Sequence, residues 1–168
     1  MNREFYADAP NEKWLTDVTE FKYYVGAEVK KLYLSAILDL YDRRIVAYKI
    51  GESNNNKLVF DTFDEAVKTN PNAHPLFHSD RGFQYTNKTF NAMLKAHNMR
   101  QSMSRVGRCI YNGPMEGYWG LLKSEMYDLK KDELTQAIEN YIHFYNTKRY
   151  QFRLHCMTPM EYHTAFAA

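Results

Sequence analysis

The sequence predicts an α/β fold in which a mixed β-sheet is covered by helices. Residues 14–19 are β-prone, residues 32–50 contain the alternating apolar pattern of a hairpin, and residues 56–145 alternate short apolar strands with segments of helical periodicity. Such interleaving is typical of mixed sheets with helices packed on their faces. The 168 residues correspond to one domain that is large enough to bury a hydrophobic core.

The first part of the chain is predicted to contribute three strands. Residues 14–19 form a short β-prone run, whereas residues 20–31 have no clear periodicity. Residues 32–40 (LYLSAILDL) alternate as a strand, residues 41–43 form a tight turn, and residues 44–50 (RIVAYKI) return as the second strand of a hairpin. The apolar side chains predicted to share one face of the 32–40 strand are Leu32, Leu34, Ala36, Leu38 and Leu40.

The rest of the chain is predicted to alternate between helices and strands. The expected elements are, in order, a helix over residues 59–67, a strand over 75–79, a helix after Thr86, a strand over 99–103, a helix over about 112–129 and a helix after Asp132. The first dozen residues are polar and contain Pro10. We therefore expect an N-terminal arm over residues 1–12 and a core domain over residues 13–168.

Charge and composition narrow the class of protein. The net charge of +2 is too small to indicate a nucleic-acid-binding protein by itself. No apolar run approaches the roughly 20 residues that a membrane span needs, and the N-terminus lacks the apolar region of a signal peptide. The two cysteines cannot form a disulfide framework, which favours a reducing cytoplasm.

Three acidic residues lie in contexts that favour chemistry. Asp17 interrupts the β-prone run at residues 14–19, where aspartate is disfavoured. Asp80 directly follows the apolar strand at 75–79, and ligand sites in α/β sheets gather at strand ends. Glu116 lies in the first turn of the third predicted helix, and 35 residues separate it from Asp80. Carboxylates that converge from different elements can hold the Mg²⁺ ions of phosphoryl-transfer enzymes.

Each of these acids also has a structural interpretation. Glu116 can complement the helix dipole, Asp80 can be a turn residue before Gly82, and Asp17 can be a hydrogen-bonded buried group. Asp39 also lies in a predicted strand, and we interpret it as a residue that supports the following turn. Glu125 lies about two and a half helical turns beyond Glu116, so it is a poor ligand candidate.

The sequence contexts of the three acids resemble a known family. Residues 14–19 (WLTDVT), 78–82 (HSDRG) and 112–119 (NGPMEGYW) resemble the catalytic core of insertion-sequence transposases and retroviral integrases. The acidic spacing matches the Asp–Asp–35–Glu signature of that family. Residues 34–46 resemble its hairpin and residues 158–162 (TPMEY) its C-terminal end, so the resemblance covers roughly residues 12–165.

The resemblance implies a ribonuclease-H-like fold with a five-stranded mixed sheet flanked by helices. Asp17 would lie on the first strand and Asp80 just after the neighbouring fourth strand, with Glu116 reaching in from a helix. The three acids would be catalytic and would bind two Mg²⁺ ions, for which Mn²⁺ can substitute, with Asp17 bridging the two. The implied activity is DDE transposase chemistry, namely DNA phosphodiester hydrolysis followed by 3′-OH strand transfer.

Several basic residues are candidates for DNA contacts. Lys123 lies two helical turns after Glu116 on the same face. No acid interrupts residues 140–160, where aromatic residues accompany the bases, and this pattern is typical of a surface that binds nucleic acid. An ordinary solvated surface is the competing interpretation. The full candidate set is Arg81, Arg105, Arg108, Lys123, Lys148 and Arg149.

Other functions remain open at this level. One alternative is a ribonuclease-H-like nuclease that only hydrolyses, and another is a catalytically silent DNA-binding or multimerisation fragment. The family implies a homo-oligomer on element ends and target DNA, an upstream helix-turn-helix region that is not recognisable here, and a bacterial cytoplasm with nucleoid association. Tyr111 stands where many relatives have aspartate, and Asn112 can still cap the helix.

Overall fold

The computed structural model describes residues 5–104, 113–124 and 131–167. Their strands are β1 (Lys13–Val25), β2 (Glu28–Asp39), β3 (Ile45–Gly51), β4 (Leu76–Ser79) and β5 (Arg100–Met103). Their helices are α1 (Asn56–Thr69), α2 (Lys88–Ala96), α3 (Gly113–Ser124), α4 (Lys131–Thr147) and α5 (Pro159–Phe166), with a short 3-10 turn over Phe152–Leu154. The predicted mixed sheet flanked by helices is confirmed.

The five strands form one sheet in the order β3-β2-β1-β4-β5. The strands β1, β2 and β3 pair antiparallel, whereas β4 is parallel to both β1 and β5. Strand β1 is therefore central and joins the antiparallel half of the sheet to the parallel half. None of the helices in the described residues is both long enough and apolar enough to cross a membrane.

Each face of the sheet is covered by its own hydrophobic cluster. The predicted face of β2, from Leu32 to Leu40, packs with α3 and α4 through residues such as Trp119 and Ile138. On the opposite face, Trp14 and Ile37 pack with α1 and α2. Alternate residues of one strand thus serve opposite cores, which is the physical reason for the period of two in β2.

The structure assigns residues 20–31, which have no clear periodicity, to a second hairpin. Strand β1 continues to Val25, and β2 begins at Glu28, with full antiparallel pairing between them. The turn contains Gly26 at φ +61°, a conformation that glycine adopts without the steric penalty of a side chain. The pattern is obscured because Tyr24, Val25 and Val29 are apolar but exposed at the hairpin tip.

The buried Asp39 supports the turn that follows β2. Its carboxylate accepts hydrogen bonds from the backbone N–H groups of Tyr41 and Asn11, so its predicted turn-supporting role is confirmed.

Helix α5, which the sequence did not predict, begins with a capping box between Thr158 and Glu161. The predicted boundary between an arm over residues 1–12 and a core remains a prediction, and Ala7 within that arm is buried in the core.

Substitution of Phe63 by alanine should strongly destabilise the α1–α2 side of the sheet. The Phe63 side chain is fully buried, and its ring packs edge-on against Phe77 and Phe90. We expect the free energy of unfolding, measured by urea denaturation, to fall by about 3–5 kcal/mol. The exposed Lys68 on the same helix is the control, and Lys68→Ala should change the free energy of unfolding by less than about 0.5 kcal/mol. A loss below about 1 kcal/mol for Phe63→Ala would contradict this packing.

Candidate active site

The parallel register of β1 and β4 brings Asp17 and Asp80 together. Lys13 pairs with Leu76, Trp14 with Phe77 and Leu15 with His78. The same offset, continued by two residues, places Asp80 beside Asp17. Asp80 directly follows β4 and is exposed, whereas Asp17 is within β1 and is largely buried. The predicted placement of both acids on neighbouring strands is therefore confirmed.

Helix α3 brings Glu116 to the same face of β1. Leu15 and Asp17 point to one side of the strand because they are two residues apart, and Leu15 packs in the cluster that contains α3. The indole Nε1–H of Trp119 donates a hydrogen bond to Oδ2 of Asp17 at 3.0 Å. Glu116 is exposed in the first turn of α3, almost one turn before Trp119. The structure thus confirms that Glu116 lies on a helix, the same helix whose Trp119 contacts Asp17, and its role as a ligand stays a prediction.

The electrostatics of Asp17 show that the three acids are neighbours. The pKa of the Asp17 carboxyl is raised from 3.8 to about 6, mainly by burial and to a smaller extent by the negative charges of Asp80 and Glu116. Hydrogen bonds from Trp119 and from the Val18 backbone oppose this rise. The site therefore concentrates negative charge around a carboxylate that is costly to ionise.

Gly82 lets the chain turn tightly after Asp80. The Gly82 backbone N–H donates to Oδ1 of Asp80 at 2.8 Å. A Cβ atom at position 82 would lie only 3.0 Å from that oxygen and 2.9 Å from Oε1 of the buried Gln84. A side chain at position 82 would therefore displace the Asp80 and Gln84 side chains from these positions.

A buried tyrosine supports the strands behind the acids. The Tyr85 hydroxyl lies 3.2 Å from Oγ1 of Thr16, which also donates to the Ala36 carbonyl on β2. The Tyr85 ring packs edge-on against Phe90 of α2. This contact ties the loop after Asp80 to β1 at the position before Asp17, so it fixes the spacing between the two acidic elements.

The donor set is chemically suited to hard divalent cations. No Lys or Arg among the described residues forms an ion pair with Asp17, Asp80 or Glu116. Three neighbouring carboxylates without a cationic side chain present the oxygen ligands that Mg²⁺ prefers. Within residues 5–104, 113–124 and 131–167, however, no three His, Cys, Asp or Glu side chains form a ready-made metal cluster.

The predicted DNA-contact residues lie in separate parts of the structure. Arg81 follows Asp80, and its Nε donates to the Ser104 carbonyl at 2.9 Å. Lys123 is exposed on α3, with Nζ 5.4 Å from the centre of the Phe21 ring on β1. Lys148 and Arg149 follow α4, next to Asn146, whose side chain bonds to both backbone groups of Ile45 on the edge strand β3. Lys148 and Arg149 are therefore not beside the three carboxylates. Arg105 and Arg108 lie outside the described residues.

Sequence reasoning missed the residues that position the acids. Trp119 and Tyr85 are buried aromatic residues, and such residues are usually assigned only to a core. Gly82 was noted as a chain break, without its contact to Asp80. A local signal existed for Trp119, because its position three residues after Glu116 places both on nearby parts of one helix.

Comparisons with known proteins show the family of this chain. Residues 7–109 match the family described as integrase core domain, and residues 116–165 match a second family with the same description. The chain is 41% identical to the putative transposase InsK for insertion sequence element IS150 of Escherichia coli K12, covering 96% of this chain and 58% of that protein. It is also 41% identical to a transposase-like protein of Haemophilus influenzae, covering 98% of this chain and 76% of that protein.

Solved structures show the same fold at low sequence identity. The HTLV-2 integrase catalytic core domain in complex with magnesium has a TM-score of 0.71 and 19% identity, covering 93% of this chain and 98% of that chain. A chain of the simian T-cell lymphotropic virus intasome has a TM-score of 0.74 and 18% identity, covering 94% of this chain and 56% of that chain. The fold is therefore ribonuclease-H-like, and the chain belongs to the integrase core domain family.

Proposed function

We propose that this chain is the catalytic domain of a DDE transposase, which cuts DNA at element ends and joins the freed 3′-OH to a second DNA phosphodiester. The observation that carries this proposal is the convergence of Asp17, Asp80 and Glu116 from three elements of an integrase core fold. Similarity to transposases supports the reaction class. Because the chain spans 58% of the length of the first of these relatives, the activity of the whole protein is part of the proposal.

The three acids would hold two Mg²⁺ ions, with Asp17 shared between them and Asp80 and Glu116 each completing one site. Two bound divalent ions stabilise the charge on the attacking and leaving oxygens of an in-line phosphoryl transfer. No side chain need act as a nucleophile. Asp17 would supply the largely buried ligand, whose carboxylate is held by Trp119, and Asp80 and Glu116 would supply exposed ligands.

The exposed face of α3 is the proposed path of the DNA end. Glu116 and Lys123 lie on this face two turns apart, and Gly120 between them leaves room for a DNA strand to approach. The Lys123 ammonium group, resting near the Phe21 ring, is placed to contact a phosphate. Arg81 borders the site beside Asp80. The proposed function also implies that the protein works as a homo-oligomer on two element ends and on target DNA, in the cytoplasm of a bacterium with nucleoid association.

Each of the variants Asp17→Asn, Asp80→Asn and Glu116→Gln should reduce strand transfer by at least about 1,000-fold, because each removes a carboxylate that stabilises transition-state charge. DNA binding should remain, since no charge that attracts phosphate is lost. The measurement is joining of a precut labelled DNA end with Mg²⁺ or Mn²⁺. The exposed Asp64 of α1 is the matched control, and Asp64→Asn should join normally. Normal joining by any of the three site variants would refute the assignment.

The same assay separates a transposase from a nuclease that only hydrolyses. A precut end already carries the 3′-OH, so only strand transfer converts it into a joined product. The proposal predicts joined products that depend on the divalent ion. Hydrolysis without joining would identify a nuclease, and the absence of metal-dependent activity would identify a silent fragment.

Asp17→Asn should stabilise the metal-free protein at neutral pH. The folded-state pKa of Asp17 is raised from 3.8 to about 6, so ionisation of this carboxyl costs stability as the pH rises between these values. Asparagine removes that cost and keeps an oxygen for Trp119. In thermal or urea unfolding with EDTA, we expect a gain of about 1–3 kcal/mol at about pH 7.5 and about half of it near pH 5. A loss of stability at pH 7.5 would contradict the electrostatic analysis.

Trp119→Phe should weaken catalysis without disrupting the fold. The substitution keeps an aromatic ring but removes the N–H that holds Asp17, a hydrogen bond to a charged group worth about 1.5–3 kcal/mol. We expect strand transfer to fall about 10- to 100-fold, and Mn²⁺ affinity, measured by calorimetry, to fall as well. Tyr118 is the adjacent control, because its buried hydroxyl has no hydrogen-bond partner among the described residues. Equal effects of Tyr118→Phe and Trp119→Phe would show that the hydrogen bond from Trp119 to Asp17 makes no specific contribution.

A further inference from the structure

We propose that residues 148–153 form a second DNA-contact surface, which binds an unpaired DNA strand by stacking its bases on Phe152 and Tyr150. We call this segment the aromatic–basic loop. Its phosphate-binding groups are the side chains of Lys148, Arg149 and Arg153. The inference rests on the proposed function in one respect only, namely that the protein acts on DNA.

The aromatic–basic loop presents two aromatic rings to solvent. The Phe152 side chain is 93% exposed, the highest exposure of any large apolar residue in the described part of the chain. Tyr150 is 67% exposed. The flat faces of both rings are available to a flat partner.

The loop holds these rings on a fixed backbone. Gln151 and Met157 form an isolated antiparallel bridge, and the backbone N–H groups of both Leu154 and Cys156 donate to the Gln151 carbonyl. Leu154 is buried and anchors the 3-10 turn to the protein. A preorganised ring loses little entropy when a partner stacks on it, so exposure on a rigid turn favours binding.

The charge around the rings is positive. Residues 140–160 contain Lys148, Arg149 and Arg153 and no acid. Arg149 and Arg153 both lie close enough to the buried Tyr145 hydroxyl to influence its pKa. Burial, and the guanidinium of Arg153, lower the pKa of Arg43 to about 10. Arg43 therefore stays charged at neutral pH and adds to the positive field near Arg153.

None of the salt bridges between described residues involves Lys148, Arg149 or Arg153. The buried Asp42 instead binds both Arg44 and His163. The three cations of the loop can therefore attract an anion from outside the chain.

These features favour a nucleic-acid strand over a protein partner. A polyanion matches the three cations, and unpaired bases match the exposed rings, since any base offers a π-face for stacking. Bases of a duplex are already stacked on one another, so the rings select a strand that is unpaired. The loop lies toward the edge strand β3, through Asn146 and Ile45, whereas the acids lie on β1 and after β4. The two surfaces would therefore contact different stretches of DNA.

The test measures binding of a fluorescent dT20 oligonucleotide by anisotropy, in EDTA so that no catalysis occurs. Phe152→Ala should weaken affinity about tenfold. Tyr24 is the matched control, because it is 58% exposed on the β1–β2 hairpin, and Tyr24→Ala should leave affinity unchanged. Arg153→Gln should lower the slope of log affinity against log salt by about 0.7. Lys68→Gln, on the exposed side of α1, should leave that slope unchanged.

Photocrosslinking identifies the contact directly. An oligonucleotide carrying 5-iodouracil should crosslink to a peptide that contains Tyr150 or Phe152. A crosslink elsewhere, or unchanged binding by Phe152→Ala, would overturn the proposal. A change in oligomeric state with unchanged DNA binding would instead show that the loop contacts a second copy. Asp80→Asn should bind dT20 normally, so failure of the catalytic assignment and failure of this inference are distinguishable.

Discussion

The site depends above all on the parallel pairing of β1 with β4. Three residue pairs, Lys13–Leu76, Trp14–Phe77 and Leu15–His78, set the register. Because side chains alternate along a strand, a shift by one residue would turn Asp17 away from α3 and into the opposite core. The aromatic packing of Trp14, Phe77 and Phe90 on one face, and of Leu15 on the other, therefore also fixes the position of the carboxylates. Stability and site geometry share the same contacts.

The electrostatic cost of bringing three acids together falls mainly on the carboxyl group of Asp17. Its carboxyl is buried, and two further acids lie nearby, so its pKa rises to about 6. Trp119 offsets part of that cost with one hydrogen bond. Asp80 and Glu116, in contrast, are exposed. In the proposed metal site, Asp17 would therefore be the largely buried ligand, and Asp80 and Glu116 would be the exposed ones. Divalent cations would neutralise the repulsion that the folded protein tolerates without them.

The features that could be predicted from the sequence are those that local residue patterns encode. The period of two in residues 32–40 identified one face of β2, and Asp17, Asp80 and Glu116 were noticed because each is unusual where it lies. The hairpin over residues 20–31 was missed because apolar residues at its tip are exposed, which removes the alternation. Trp119 and Tyr85 were missed because their roles depend on contacts between residues 102 and 69 positions apart. Such contacts follow from tertiary packing and leave no local signal.

The most direct test of the central claim is diffraction from crystals soaked in Mn²⁺, whose anomalous signal locates the ion without assumptions about its ligands. The carboxylate convergence predicts a peak bounded by Asp17, Asp80 and Glu116 in the wild-type protein and its loss in Asp17→Asn. A protein that binds Mn²⁺ only elsewhere, or a peak at this site that persists in Asp17→Asn, would contradict the assignment of Asp17 as the shared ligand.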